Sequence, residues 1–451
     1  MPFEITQEFI EKIQQFIAKK NNDSLLYLLK DVHYADIAEI IEELNTDDSI
    51  YLIKLLDSDV TSDVIAELDE DDREKILKEL SSKEIAEEID ELDTDDAADI
   101  IGELPEKQKE EVISQLDDVE HAKEIVELLR YDEDTAGGLM AKELVKVNEN
   151  WNVLTCVKEM RAQAEEVTRV HSIYVVDDSD ILKGRLSLKD LLTTSTKTAI
   201  KDVLIKKVDS VTVNQDNEEV ARIMQKYDLE AIPVVDEIGR LVGRITIDDI
   251  VDVIKEEAEK DYQLAAGLTE DVEADDTIWE LTRARLPWLI LGLFGGLGSV
   301  FIMEGYEEFM ANPEYKKLFF FTPLIAAMAG NVGVQSSAIV VQGLANDIIK
   351  GSLFSRLIKE VTLSLISGVV LGVLIMTFGL VTQMDPKFSF TVAISMLCVI
   401  IIASLIGTFV PIILEKRGID PAIATGPFIT TSNDIFGIFL FFFIAKIMLG
   451  L

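Results

Sequence analysis

Apolar and polar positions follow three different patterns along this chain. In the first pattern a leucine recurs every twelve residues, and polar residues that favour helix N-caps follow most of these leucines. The repeated leucines are Leu44, Leu56, Leu68, Leu80, Leu92, Leu104, Leu116 and Leu128. Because helices of about eight residues are not stable alone, we expect them to stack into an all-α superhelical domain over residues 1–130.

The second pattern is a duplicated arrangement of strands and helices. Val175-Val176-Asp177 recurs after 59 residues as Val234-Val235-Asp236, and residues 184–190 recur in the same way as residues 243–249. A change from helical to alternating apolar periodicity accompanies this repeat. The sequence therefore predicts two β-α-β-β-α units, which occupy residues 131–202 and 203–257.

The duplicated units resemble a tandem pair of CBS domains. Such pairs are regulatory sensors, often of adenine nucleotides, so the resemblance suggests ATP as a cofactor of this region. The weak candidate contacts lie at the last strand-to-helix turn of each unit. They are Ser187, Asp190, Thr246 and Asp249. Simple helix capping by Ser187 and Thr246 also explains this spacing, and the sequence leaves both interpretations open.

The third pattern is a series of long apolar segments, each long enough to cross a hydrocarbon core of ~30 Å. The segments span residues 286–304, 318–342, 353–381, 388–414 and 422–450. They predict a five-helix transmembrane domain at 286–451, which a linker helix at 258–285 connects to the second CBS-like unit. The predicted fold class is therefore multidomain, with an all-α domain, an α/β pair and a helical membrane domain.

The distribution of basic residues predicts the orientation in the lipid bilayer. The first residues have no basic stretch followed by an apolar core, so we expect them to stay in the cytoplasm. Five spans then place the C-terminus outside the cell (cytoplasmic) membrane. Lys and Arg residues are more frequent at the segment ends that this arrangement places inside, as the positive-inside rule requires.

Charge is divided unevenly along the chain. The net charge is −41, and residues 1–130 contain 39 acidic and 13 basic residues, whereas residues 283–451 contain 10 and 11. So acidic a surface argues against nucleic acid as a partner and favours cations, although a solubilising surface would have the same composition. Cys156 and Cys398 stand far apart, and they indicate neither a disulfide scaffold nor a zinc site.

Polar residues interrupt two of the predicted spans. Asp434 stands inside the fifth, where an ionised carboxylate costs about 2.5–3.5 kcal/mol unless water, a cation or a partner surrounds it. Thr430 lies one helical turn before it and shares its face. Asn331 and Gln335 share a face of the second span, near the middle of the bilayer. Hydrogen bonds between helices explain these residues, but a pore wall is the sharper hypothesis.

A further acidic stripe follows the second CBS-like unit. Helical spacing places Asp249, Asp252, Glu256 and Glu259 on nearly one face, and Lys260 stands within the run. Like charges at this spacing destabilise a helix by a few tenths of a kcal/mol per pair, and a divalent cation would reverse that effect. A solvent-facing helix and a cation-binding helix are both consistent with this segment.

The whole chain resembles the MgtE-type magnesium transporters or channels. An acidic leucine-repeat domain, the junction 133–140, a CBS pair and five spans occur in that order. The membrane motifs Gly330-Asn331-Val332-Gly333-Val334-Gln335-Ser336 and Asp420-Pro421-Ala422, with Gly426-Pro427 and Asp434, carry the resemblance. It implies a homodimer with a pore on its two-fold axis, which cytosolic Mg²⁺ closes by binding the N-terminal and CBS domains.

The resemblance also implies roles for individual residues. Asp434 would select the ion, and the other pore residues would be Gly330, Asn331, Gly333, Gly426 and Thr430. Regulatory Mg²⁺ would bind at Asp93, Gly138, Asp216, Asp228, Asp249, Asp252, Glu257, Asp261 and Asp420. Because Mg²⁺ gives up its water reluctantly, one carboxylate per chain would attract a largely hydrated ion without trapping it.

Three other functions are compatible with parts of the pattern. A carrier of Co²⁺ or Mn²⁺ would use the same ligand chemistry. An intramembrane aspartyl enzyme would need two carboxylates in one site, and Asp434 is the clear mid-span acid. A CBS-regulated anion pathway is disfavoured because the spans contain few basic residues. We therefore predict a divalent cation transporter and no enzymatic activity.

Overall fold

The computed structural model describes residues 5–164, 167, 169–269, 272, 276–313, 315–345 and 352–449. The chain divides into two units, Met1–Ile254 and Lys255–Leu451. The boundary falls within a single helix that begins in the second CBS-like unit.

Ten short helices form the N-terminal region. They are α1 Gln7–Ala18, α2 Asn22–Leu29, α3 Tyr34–Glu42, α4 Thr46–Ile53, α5 Ser58–Glu67, α6 Glu70–Leu77, α7 Ser82–Ile89, α8 Thr94–Glu103, α9 Glu106–Ile113 and α10 Val119–Leu128. From His33 to Pro105 the N-cap residues recur every twelve residues, in step with the leucines. Alternate helices pack together, α3 on α5, α5 on α7 and α7 on α9, around a continuous apolar core. The predicted stacked all-α domain is confirmed.

Two similar α/β units follow. The first contains β1 Val145–Asn148, α11 Val153–Gln163, β2 Ile173–Val176, β3 Leu182–Leu186 and α12 Leu188–Thr193. The second contains β4 Val211–Thr212, α13 Asn217–Tyr227, β5 Ala231–Val235, β6 Leu241–Thr246 and α14 Ile247–Ala266. In each sheet the first two strands are parallel and the third is antiparallel. The register shifts at Val175/Val176 and again at Val234/Val235, so the duplication extends to the irregularities of the sheets.

The segment 131–140, which joins the leucine repeats to these units, is packed into the second one. Ala136 and Met140 are fully buried. The N–H groups of Ala136 and Gly137 donate to the carbonyl oxygens of Gln215 and Val213, and Ala141 pairs with Arg244 on β6. Backbone hydrogen bonds therefore fix this segment against the second CBS-like unit.

The membrane half contains the five predicted apolar helices. They are α15 Ile278–Glu304, α17 Thr322–Ala345, α18 Leu353–Val381, α19 Pro386–Glu415 and α20 Gly426–Leu449, with a short α16 at Glu307–Met310. Short 3₁₀ helices at Lys316–Phe321 and Pro421–Ala424 precede α17 and α20. α17 packs on α19 and α20, α18 on α19, and α15 on α20. The helix predicted for 258–285 is divided between α14 and α15, with a left-handed Gly267 directly after α14.

Candidate functional site

A groove between α17 and α20 contains the carboxylate of Asp434. Its volume is about 410 Å³, and Thr430 lies beside Asp434 on α20. The α17 side consists of small residues and two amides: Ala326, Ala327, Gly330, Asn331, Val334 and Gln335. The groove therefore combines one carboxylate, one hydroxyl and two carboxamides, which are hydrogen-bonding groups suited to the water shell of a hard cation.

Gly330 lets the two groove helices approach each other. A Cβ atom at this position would lie 3.2 Å from Cγ2 of Thr430 and 3.8 Å from Oδ1 of Asp434. A larger side chain would therefore enter the space in front of the carboxylate. Thr430 turns its hydroxyl to its own helix, where it donates to the carbonyl oxygen of Gly426 at 3.1 Å.

Two predicted pore residues lie away from the groove lining. A Cβ atom on Gly333 would overlap the side-chain amide of Asn433, so Gly333 serves the close packing of α17 on α20. A Cβ atom on Gly426 would overlap the carbonyl oxygen of Ala265, so the last turn of α14 packs directly on the start of α20. For both residues the structure shows close packing between helices, and their place in the pore stays a prediction.

Two polar residues of the membrane half, Asn433 and Glu360, are not among the residues predicted from the sequence. Asn433 is 1% exposed, and its amide nitrogen and oxygen have no hydrogen-bond partner within the described part of the chain. Glu360 on α18 accepts a hydrogen bond of 2.5 Å from the hydroxyl of Ser336 on α17. Unlike Asp434, Glu360 follows two basic residues, Arg356 and Lys359, near the start of its span.

A second candidate site lies in the cytosolic half, at the N-terminus of α8. Asp93 is the N-cap residue of this helix, but its side chain makes no capping hydrogen bond. Glu143 supplies the cap: the backbone N–H of Thr94 donates to its carboxylate at 3.2 Å and the Thr94 hydroxyl at 2.9 Å. Asp93, Asp95 and Glu143 each offer an oxygen within 4.8 Å of the others, a spacing compatible with a divalent cation.

Arg244 on β6 connects this acidic cluster to the second CBS-like unit. Its side chain is 7% exposed, and Nη2 lies 3.5 Å from Oδ2 of Asp93. Its Nε donates to the carbonyl oxygen of Glu143. One buried guanidinium therefore ties the α8 N-terminus and the 141–143 segment to β6.

The carboxylates around Arg244 outnumber it. Burial raises the pKa of Asp96 to about 7, and the charges of Asp249 and Asp93 add to this shift. Burial also raises the pKa of Asp249 to about 6, although this carboxylate accepts hydrogen bonds from the N–H and hydroxyl of Thr246 at 2.9 and 2.8 Å. The cluster therefore has an excess of negative charge, which either bound protons or a bound cation would neutralise.

The other predicted cytosolic residues are distributed over several places. Asp252 faces Glu67 of α5, whose pKa is raised by burial and then by the charge of Asp252. Asp216 caps α13 and pairs with Thr135, beside the segment that contains Gly138. Asp228 lies at the opposite end of that eleven-residue helix, in the left-handed conformation. Asp216 and Asp228 therefore do not converge on one ion within this chain.

The remaining candidates have local partners. Glu257 pairs with Lys260 at 3.0 Å. Asp261 lies near the end of α14, and Asp420 caps the 3₁₀ helix before α20 by accepting the Ala422 N–H at 2.7 Å. Ser187 makes no side-chain cap on α12, and Asp190 lies in the first turn of that helix. Thr246 and Asp249, by contrast, bond to each other.

Comparison with known proteins decides the family. The family model for MgtE divalent cation transporters matches residues 322–444, that for the MgtE intracellular N domain matches 32–134, and that for CBS domains matches 136–196 and 200–256. The magnesium transporter MgtE of Enterococcus faecalis is 39% identical over 331 residues, which cover 73% of this chain and 72% of that protein. The chain belongs to the MgtE family. The MgtE of Bacillus subtilis is 38% identical over 325 residues, with 72% of each chain covered.

Solved structures support the same assignment for the cytosolic half. The soluble part of a magnesium transporter is 31% identical with a TM-score of 0.50, and the match covers 56% of this chain and 99% of that one. The cytosolic domain of the Mg²⁺ channel MgtE in complex with ATP is 33% identical with a TM-score of 0.51, covering 54% and 99%. An inosine-5'-monophosphate dehydrogenase of Halalkalibacterium halodurans matches 24% of this chain, too little to extend beyond the CBS pair. MgtE proteins are transporters and not enzymes, so the prediction of no enzymatic activity is confirmed.

Proposed function

We propose that this MgtE protein conducts Mg²⁺ through a pore that two copies of the chain form, with the Asp434 groove as each copy's half of the conduit. The groove is the observation that carries the proposal, because it places an acid, a hydroxyl and two amides on adjoining helices long enough to cross a membrane. The names of the relatives, magnesium transporters at 38–39% identity, support Mg²⁺ as the transported ion.

The groups in the groove suit an ion that keeps its hydration shell. Mg²⁺ holds six oxygen ligands at about 2.0–2.1 Å and loses water slowly, so a selective site profits from contacting the bound water. Asp434 would accept hydrogen bonds from that water, as would the carbonyl groups of Asn331 and Gln335. Two copies of Asp434 facing each other would provide attraction without a closed ligand cage, which allows the ion to leave.

The proposed orientation places the N-terminal half in the cytoplasm and the C-terminus outside. Five spans and the excess of Lys and Arg at the inner ends of the helices support this arrangement. The start of α20 would then lie at the cytoplasmic end of the groove.

Cytosolic Mg²⁺ would close this pore by holding the acidic domain against the CBS pair. The carboxylates of Asp93, Asp95, Asp96 and Asp249 lie close enough to raise one another's pKa, so their mutual repulsion would weaken the docking whenever no divalent cation is present. A bound ion would favour the docked state over the undocked one. The size of this effect would be the difference between the ion's binding free energies for the two states. Asp252, Glu257, Asp261, Asp420, Gly138, Asp216 and Asp228 are further proposed contacts for regulatory ions.

ATP is the proposed second ligand of the cytosolic half. A relative's cytosolic domain forms a complex with ATP. In this chain the first CBS unit is the better candidate, since Thr246 and Asp249 of the second are bonded to each other, whereas Ser187 caps nothing on α12.

Flux through reconstituted vesicles tests the transport proposal. Asp434→Asn keeps the shape of the side chain and removes its charge, so we expect Mg²⁺ uptake to fall to the background of empty liposomes while the protein stays folded. Asp385→Asn is the matched control, because Asp385 is an N-cap in the same half and asparagine caps helices equally well. Unchanged uptake by Asp434→Asn would refute the pore assignment.

The same vesicles separate Mg²⁺ from the other divalent ions. Co²⁺ and Mn²⁺ accept the same oxygen ligands, so a carrier of these ions is the alternative that the groove chemistry allows. Preferential uptake of Co²⁺ or Mn²⁺ from an equimolar mixture would support that alternative.

A further inference from the structure

The membrane half contains a second acid, Glu360, which the proposed transport mechanism does not use. It lies seven residues after the start of α18, or about 10 Å along the helix axis, and follows Arg356 and Lys359 in the sequence. Its carboxylate reaches the buried face of α17, where a polar group needs a hydrogen-bond partner. Ser336 of α17 is that partner, with its hydroxyl donating to Oε1 of Glu360 at 2.5 Å.

Ser336 follows Gln335, one of the two amides that line the groove. The Ser336 side chain is buried, 5% exposed, and points away from the groove lining, whereas Gln335 and Asn331 lie on the groove face. Successive residues of an α-helix are 100° apart, so the direction in which Ser336 is held sets the direction of Gln335 and, one turn earlier, of Asn331.

Close packing at Gly333 limits the rotation of α17, since Gly407 and Asn433 lie directly against it. The neighbouring groove positions Ala326, Ala327 and Val334 are small and apolar, so they give the amides of Asn331 and Gln335 no directional contact of their own. The hydrogen bond between Ser336 and Glu360 adds that directional constraint.

Glu360 reaches α17 from a helix that is itself fixed. α18 packs on α19, where the hydroxyls of Ser364 and Ser404 are 2.5 Å apart. Ser364 lies one turn after Glu360, so the same face of α18 bonds to α19 and to α17. The hydrogen bond of Glu360 therefore transmits the position of the α18–α19 pair to the groove helix.

We propose that Glu360 is a positioning residue for ion selection, which holds Asn331 and Gln335 toward the conduit through its hydrogen bond to Ser336. The proposal rests on the proposed Mg²⁺ pore and deepens it. Glu360 contacts no ion in this scheme. Its carboxylate fixes the rotation of α17, and the two amides that α17 presents then contact the water around the passing cation.

A thiol reporter in the groove tests this role. In full-length protein with Cys156→Ser and Cys398→Ser, Gln335→Cys is treated with a cationic thiosulfonate reagent in vesicles. Glu360→Leu and Ser336→Ala should each slow the reaction about fivefold. The loss of one hydrogen bond of ordinary net strength would lower by that factor the population in which residue 335 faces the groove. The pair of substitutions together should slow it no further than either alone. Glu360→Gln, which still accepts from Ser336, should restore the rate.

Ion selectivity gives a second readout, measured with Gln335 intact. Glu360→Leu and Ser336→Ala should lower the ratio of Mg²⁺ to Ca²⁺ uptake, and Glu360→Gln should keep it. Thr362→Val is the matched control. In the described part of the chain, the Thr362 hydroxyl donates to the carbonyl oxygen of Ile358 on its own helix. If Glu360→Leu does not fold, both the thiol reaction and the uptake ratio are measured with Ser336→Ala.

The outcomes separate this proposal from the pore itself. An unchanged thiol reaction and an unchanged uptake ratio in both Ser336→Ala and Glu360→Leu would overturn the positioning role. Failure of Glu360→Gln to restore the two readouts would also overturn it. Persistent uptake by Asp434→Asn would refute the pore, whereas the thiol reaction reports the rotation of α17 in either case.

Discussion

Individual carboxylates in the cytosolic half have altered proton affinity because the fold crowds them together. Burial raises the pKa of Asp99 to about 7, and the charges of Asp96 and Glu133 contribute further. The pKa of Asp96 is raised to the same region and that of Asp249 to about 6. Since these values exceed the ordinary value near 3.8, the folded state binds more protons than the unfolded chain across the interval between them.

This difference predicts how the stability of the cytosolic half depends on pH. The free energy of unfolding should fall as pH rises from about 4 to about 7, and lowering the pH from 8 to 6 without divalent cations should raise the thermal midpoint. Asp96 and Asp99 retain exposed side-chain surface, so screening keeps the effect well below the limit of ~1.4 kcal/mol per pH unit and group. Circular dichroism of the full chain in detergent measures it.

Asp99→Asn provides the comparison for this measurement. The amide cannot titrate, so the variant should show a smaller pH dependence and a higher midpoint at pH 8. Millimolar Mg²⁺ at pH 8 should act in the same direction as protons. A midpoint that rises steadily from pH 6 to pH 8 in the absence of Mg²⁺ would contradict the assignment.

At the scale of helices, glycine positions decide which helices of the membrane half lie in direct contact. The carbonyl oxygen of Gly333 lies where a Cβ atom on Gly407 would be, and the Asn433 amide lies where a Cβ atom on Gly333 would be. α17 and α19 therefore meet backbone to backbone at Gly333 and Gly407, and the Asn433 side chain of α20 packs directly on Gly333. This contact, together with Gly330, sets the separation of the two helices that form the groove.

Gly333→Ala should therefore destabilise the membrane half. The added methyl group must displace the Asn433 amide or separate α17 from α20, and overpacking of this kind costs typically 1–3 kcal/mol. The thermal midpoint of the detergent-solubilised protein should fall, and Mg²⁺ uptake with it. Gly292→Ala is the control, since a Cβ atom there has nothing within 4 Å and alanine favours helix. Equal midpoints for the two variants would contradict this packing argument.

For the molecule as a whole, the proposed function makes the contact between the acidic domain and the second CBS unit the link between Mg²⁺ concentration and transport. Arg244 and the backbone bonds of the 136–141 segment hold the two together, while the carboxylates of α8 and α14 oppose that contact. In the proposed mechanism this balance would make the docked state depend on cations. A protein with a stronger permanent attachment would respond less to changes in cytosolic Mg²⁺.

Removing carboxylates that would hold the closing ion should alter regulation and leave conduction intact. Asp93→Asn combined with Asp249→Asn removes two ligands for the closing ion, so half-maximal inhibition of uptake should require a higher Mg²⁺ concentration on the cytosolic side. Vesicle flux at graded internal Mg²⁺ measures this. Asp118→Asn, at the N-cap of α10, is the control. An unchanged inhibition curve in the double variant would argue against a regulatory site at Asp93 and Asp249.

The sequence alone determined those features that depend on neighbours along the chain. The twelve-residue leucine period defines the N-terminal helices because each helix and its cap lie within one repeat. The 59-residue duplication defines the two α/β units, and five apolar segments define the membrane helices. Asp434 could be singled out for the same reason, since an acid inside an apolar segment is unfavourable wherever the neighbouring helices lie.

The tertiary structure alone decided which distant residues meet. Glu143 caps α8 at Thr94, Arg244 reaches Asp93, and Ser336 bonds to Glu360, although long stretches of chain separate the partners. It also showed the close helix contacts made at Gly333 and Gly426. Periodicity records which face of an element is apolar, but the partner of that face depends on how the helices dock, and the docking is settled by packing among residues far apart in the sequence.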